Sequence, residues 1–137
     1  MIGTTIGAIL DGECIGLDPS HRLYVVRDGA TVFYVGQSRD PVERLLGHMG
    51  HGAWVFYGKS SLGRMVEVNM PASQSWQVEL LTITECGACD VADAEQALID
   101  LHTPHLNIKG KRRRSGALPN CYKVPGARVA NQGVVLE

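Results

Sequence analysis

Two short apolar runs, residues 23–26 and 31–35, flank Arg27-Asp28-Gly29-Ala30, and no other stretch constrains the fold as strongly. β-Branched and aromatic residues suit a pleated surface, and Asp-Gly suits a tight turn, so the segment predicts a β-hairpin. Side chains alternate along a strand. Leu23 and Val25 therefore share one face, and Tyr24 and Val26 the other, which lets Tyr24 point out of a sheet whose opposite face is core. In the second strand Tyr34 shares a side with Val32 and Gly36. Gly36 has no side chain to crowd a ligand that approaches the backbone. Two tyrosines in a hairpin are by themselves ordinary strand formers; the residues that follow give them a chemical reading.

Asp40 can cap a helix, Pro41 suits its first turn, and Glu43 sits favourably near its positive end. The pattern predicts a helix over residues 41–49, with Leu45, Leu46 and Met49 as its apolar stripe. Arg44 and His48 lie four apart and share a face. A lone histidine on such a helix is usually solvated or satisfied in the core. Beside Arg44, whose planar fork suits phosphate, the pair is more specific than either residue. A second helix is expected over residues 90–101, acidic at its start and apolar at Val91, Ala94, Leu98 and Leu101, with His102-Thr103-Pro104 as its stop. Glu95 neighbours Ala94 and edges toward the core side, where an ionised carboxylate is costly unless paired or metal-bound. Asp93 and Asp100 remain alternatives on chemistry alone.

With these residues in view, the chain resembles the GIY-YIG nuclease family over about residues 22–107. The resemblance rests on Leu23-Tyr24-Val25 in place of the first tripeptide, Tyr34-Val35-Gly36-Gln37-Ser38 for the second, and Arg44, His48, Glu95 and Asn107. Arg22 stands where glycine is usual and Leu23 where isoleucine is usual. The resemblance implies an α+β domain, with a small three-stranded antiparallel sheet flanked by helices and an active site on one sheet face. It also implies metal-dependent endonuclease chemistry. Tyr24 is then the base for the attacking water, Tyr34 orients phosphate or water, Arg44 holds the phosphate and His48 accepts the phenolic proton. Glu95 becomes the metal ligand, and Asn107, after Pro104-His105-Leu106, fixes the site. A single carboxylate suits magnesium, or manganese, better than zinc. DNA is the expected substrate, with RNA left open.

At 137 residues the chain supports one domain, with a core at about 22–108 and a basic extension at about 109–137. The net charge of −1 conceals an asymmetry: residues 106–137 carry seven Lys or Arg against one acid. Lys109, Lys111, Arg112, Arg113 and Arg114 are the densest part. They suit a phosphate backbone, and a solvated basic segment is the alternative. No apolar run reaches membrane-spanning length and the start lacks a signal peptide's basic residues, so a cytoplasmic location without a membrane partner is the default expectation. Cys86-Gly87-Ala88-Cys89 has the spacing of half a zinc site but no matching close pair, and reduced cysteines in a turn are the simpler reading.

Residues 2–17 predict a short hairpin turning at Asp11-Gly12, and residues 76–84 a third strand with Trp76, Val78 and Leu80 on one side. Residues 51–75 have no firm assignment. Beyond residue 115 loops are expected, with a short strand near residues 134–136. An inactive nucleic-acid-binding module of the same fold and a zinc-stabilised interaction domain are the rival readings. Duplex cleavage would need two sites or two sequential nicks, which leaves room for a homodimer or a partner protein.

Overall fold

In a computed structural model, which describes residues 1–51, 58–108, 110–130 and 133–136, the chain runs β1 (Ile2–Thr5), α1 (Ile6–Leu10), β2 (His21–Asp28), β3 (Thr31–Gln37), α2 (Pro41–His48), α3 (Ser61–Val68), β4 (Gln77–Thr82), α4 (Val91–His102), β5 (Ala127–Ala130) and β6 (Gly133–Leu136). The hairpin is β2–β3. The strand expected near residue 78 is β4, antiparallel to β2 on its other side. The main sheet has four strands, ordered β1-β4-β2-β3, where three were expected.

The fourth strand corrects the expected N-terminal hairpin. Residues 2–5 pair with β4, Ile2 opposite Leu80 and Thr5 opposite Gln77, rather than with residues beyond Asp11. Thr5 Oγ1 then accepts the Ala8 N–H at 3.1 Å and starts a helix that buries Ile6 and Ile9. Asp11-Gly12 ends that helix: the Gly12 N–H reaches the Ile9 carbonyl, with φ at 74°.

Both sheet faces are covered, so Tyr24 does not point into solvent; it is 1% exposed. Tyr24, Val26, Phe33, Val78 and Leu80 pack with Trp76 against α1, α2 and α3. On the other face Leu23, Val25, Val32 and Val35 pack against Ala94, Leu98 and Ile99 of α4. Ile99 takes the buried position assigned to Leu101, which is 71% exposed. The expected shared side of Tyr34 and Val32 is corrected too. Pairing passes from Val26 opposite Tyr34 to Arg27 opposite Val32, so Phe33 is the extra residue of a bulge. The bulge turns both Phe33 and Tyr34 toward the face that carries Tyr24. Phe33 stacks on Trp76 with centroids 4.1 Å apart, and Tyr122 meets it edge-on at 5.1 Å.

Strand β3 is an edge of the sheet, and the chain after α4 closes it. His105 and Leu106 donate their N–H groups to the Val32 and Phe33 carbonyls at 3.1 and 2.8 Å. Helix α4 itself starts on an Asp90 cap and stops at Thr103, which takes a left-handed φ of 41° before Pro104. The extension folds back on the body: Tyr122 Oη donates to Asp28 Oδ2 at 2.6 Å, and the Asn69 amide makes two 2.9 Å bonds with the Lys123 backbone. The strand expected near residues 134–136 falls in β6, antiparallel to β5. Residues 52–57, part of the unassigned stretch, lie outside the described residues; the rest of that stretch supplies α3. Among the described residues no helix is long and apolar enough to cross a membrane.

Helix α3 reaches the end of α2 so closely that a Cβ on Gly63 would lie 1.8 Å from the His48 carbonyl oxygen. Gly63→Ala should therefore cost about 2–3 kcal/mol in urea unfolding, whereas Gly3→Ala, with open space around it, should stay within about 0.5 kcal/mol.

Candidate active site

Tyr24 and Gly36 are direct cross-strand partners, and the phenol ring lies over the glycine. A Cβ at position 36 would come within 2.3 Å of the Tyr24 Oη and Cζ atoms. The open face of Gly36 is thus filled by the Tyr24 ring, not left for a ligand as the sequence suggested. Tyr34 stacks on Tyr24 with centroids 6.1 Å apart.

Helix α2 forms as its cap predicts, the Glu43 N–H donating to Asp40 Oδ1 at 3.1 Å, and buries Leu45 against the sheet. That orientation brings His48 over the tyrosines. Its Nε2 is 3.0 Å from Tyr24 Oη, and its ring meets Tyr34 edge-on at 5.1 Å. Arg44, one turn earlier and exposed, places its guanidinium within hydrogen-bonding reach of the Tyr24 oxygen, and its charge acts on both phenols and on the imidazole.

Glu95 arrives from the other side of the sheet. It is half-buried on α4, accepts from Gln37 Nε2 at 3.4 Å, and raises the cost of ionising both Tyr24 and Tyr34 through its charge. With Tyr34, His48, Ser60 and Asn107 it lines a cavity of about 450 Å³. The site therefore draws on both faces, with the β3 edge between them, rather than on one sheet face. Asp93 lies in the first turn of α4, its N–H donating to the Asp90 cap at 2.8 Å, and Asp100 lies toward the far end, held by Gln96; neither lines this cavity.

Asn107 is 8% exposed and acts on the backbone: its Oδ1 accepts the Val35 N–H and its Nδ2 donates to the Val35 carbonyl, both at 2.9 Å. The basic run is partly engaged. Arg113 Nη2 donates to the Asp100 carbonyl at 2.6 Å, Arg112 lies 3.8 Å from the Asp100 carboxylate, and Lys111 donates to Ser115. These contacts favour the C-terminal end of α4, where the helix dipole is negative. Arg114 is exposed, and Lys109 lies outside the described residues. Cys86 and Cys89 are free, and among the described residues no three His, Cys, Asp or Glu side chains group as a metal site.

Ser60 is the contributor that the sequence did not single out. It caps α3 by accepting the Gly63 N–H at 3.2 Å, and the same Oγ is 2.6 Å from His48 Nδ1. A serine three residues before Gly63 and directly before an apolar-periodic stretch is a readable helix start; its approach to His48 has no local signature.

Burial dominates the electrostatics. It pushes the Tyr24 phenol well above its ordinary range, with Tyr34 adding to the rise and Arg44 opposing it. Tyr34 is raised by burial as well. His48 is pushed down to about 4, by burial first and then by Arg44. Both phenols are accordingly protonated, and His48 is neutral, at pH 7. Compared with family models, curated proteins and solved structures, the chain finds no match.

The lowered His48 value sets a stability window. Above pH 6.5 the ring is neutral whether folded or unfolded; between 6.5 and about 4 only the unfolded chain takes the proton, so acidification favours unfolding. Between pH 7 and 4 the wild type should lose roughly 2–3 kcal/mol more than His48→Gln, read from urea midpoints at each pH.

Proposed function

We propose that the chain is a metal-dependent endonuclease of the GIY-YIG type that hydrolyses nucleic-acid phosphodiesters, DNA first among them. The observation that carries the reading is the 3.0 Å bond between a buried phenol and a neutral imidazole, in a site shared with a second phenol, a guanidinium and a carboxylate.

Arg44 holds the scissile phosphate and offsets charge on its oxygens as it develops. A water oxygen attacks phosphorus while its proton passes to Tyr24 Oη, and the Tyr24 proton passes to His48 Nε2. The new P–O bond forms as the ester P–O bond breaks, and the leaving oxygen takes a proton from solvent. Because Tyr24 gains one proton while giving up another, it never carries a full phenolate charge in its buried position; this reconciles its raised pKa with a base role. Tyr34 orients the phosphate or water by hydrogen bonding. Lys111, Arg112 and Arg114 would supply positive charge for the nucleic-acid backbone beyond the site; Lys109 belongs to the same basic run in the sequence.

The donor set fits a hard divalent ion: one half-buried carboxylate, Glu95, beside a cavity roomy enough for waters and a phosphate oxygen. Magnesium or manganese held by Glu95 would supply Lewis-acid stabilisation of the departing negative charge.

Incubation with plasmid, single-stranded, branched and RNA substrates in magnesium or manganese tests the reading. The wild type should nick at least one substrate. Glu95→Ala should lose at least about 10³-fold of that activity and remain folded. Full activity in Glu95→Ala would remove the metal assignment. Tyr24→Phe should keep substrate binding, stay within about 1.5 kcal/mol of wild-type stability, and cleave at least about 100-fold more slowly. A wild type that binds DNA and nicks nothing would be a binding module instead.

A further inference from the structure

We propose that Ser60 is a positioning residue that holds His48 in the tautomer with its proton on Nδ1, so that the Nε2 lone pair faces Tyr24. The catalytic consequence rests on the proton relay of the proposed function; the tautomer itself does not.

Contacts at both ends of the chain of hydrogen bonds favour the same tautomer. At one end, Tyr24 Oη is buried and its own hydrogen needs an acceptor. Arg44 can only donate, and the acceptor described for this oxygen is His48 Nε2 at 3.0 Å. Nε2 must then be unprotonated and Nδ1 must carry the hydrogen. At the other end, a serine hydroxyl offers two acceptor sites and one donor. The Gly63 N–H fills one acceptor at 3.2 Å, Nδ1–H fills the second at 2.6 Å, and the hydroxyl hydrogen has the His48 carbonyl at 3.4 Å. Every capacity of Ser60 is used. The reverse arrangement, with Ser60 donating to Nδ1, would put an N–H against the Tyr24 oxygen and strand the phenol's hydrogen in a buried site.

The contact is rigid because its backbone is. The Ser60 N–H donates to the His48 carbonyl at 3.0 Å, and the absence of a side chain at Gly63 lets α3 come this close. The hydroxyl that caps α3 thus sets the ring it abuts. When His48 takes the phenolic proton, Nδ1–H already has its acceptor, and no group has to reorient. Among the described residues, the ionisable groups around the imidazole are Tyr24 and Tyr34 from the hairpin, Arg44 from α2 and Glu95 from α4; the contact described for Nδ1 is with Ser60.

Long-range ¹⁵N–¹H spectra of the histidine side chains of the full chain at pH 7 test this without any substrate. His48 Nδ1 should give the shift of a protonated nitrogen and Nε2 that of a bare one; the opposite pattern overturns the proposal. Ser60→Ala and Ser60→Gly should both release the ring to a mixture of tautomers, and Ser60→Thr should restore the wild-type spectrum. Glycine is nearly as good a helix cap as serine, so a Ser60→Gly spectrum identical to wild type would also overturn it. On a cleaved substrate, Ser60→Ala and Ser60→Gly should lower kcat roughly tenfold or more with KM unchanged, and Ser60→Thr should recover it; a rise in KM alone would refute the positioning role. If no substrate is cleaved, the nuclease reading fails while the wild-type spectrum still decides the tautomer.

Discussion

A buried peptide at the open edge of a sheet must find partners, and the peptide groups of Val35 find theirs in one side chain. Asn107 supplies an acceptor and a donor 2.9 Å away, as a neighbouring strand would. Each unpaired group at such a position costs about 1–3 kcal/mol, so the residues after α4 are held along β3. That attachment does more than protect the edge. It anchors the C-terminal end of α4, fixes where the helix crosses the face made by Leu23, Val25, Val32 and Val35, and so brings Glu95 to the same cavity as Tyr34 and His48. The carboxylate's place depends on a hydrogen bond twelve residues further along the chain.

On the opposite face the controlling factor is space. Gly36 admits the Tyr24 ring over the strand, and Gly63 admits α3 to the end of α2. Together they compress Tyr24, His48 and Ser60 into one line of hydrogen bonds, 3.0 and 2.6 Å long. The burial that results keeps both phenols protonated and the imidazole neutral, which is the resting state a proton relay needs. The same burial makes a free phenolate costly.

Local physical chemistry reached far into this fold. The Asp-Gly turn, the Asp40 cap with Pro41, and the Asp90 and Thr103 ends of α4 depend on interactions within four residues, and each was readable from spacing. The N-terminal segment was misread because its strand is satisfied by β4, some 75 positions away, and an isolated glycine-rich stretch offers no sign of that partner. The bulge at Phe33 was hidden for a related reason: alternation assumes an unbroken ladder, and only packing against Trp76 and Tyr122 shows why two successive aromatic rings should face the same way. Leu101 and Ile99 exchanged roles because they flank Leu98 on opposite sides of the helix, about half a turn apart, and the sheet chooses between them. Ser60 was legible as a helix start and silent as a neighbour of His48.

The amino-acid order thus determined the identity of the hairpin, the two main helices and the chemical types available to the site: phenols, imidazole, guanidinium and carboxylate. These follow from short-range sterics, capping and period. Tertiary structure decided which of those groups meet, that the sheet has a fourth strand and two covered faces, and that the imidazole is neutral against a buried phenol. Such properties depend on contacts between residues far apart in the chain and on the loss of water around them, and neither is written in any local stretch of residues.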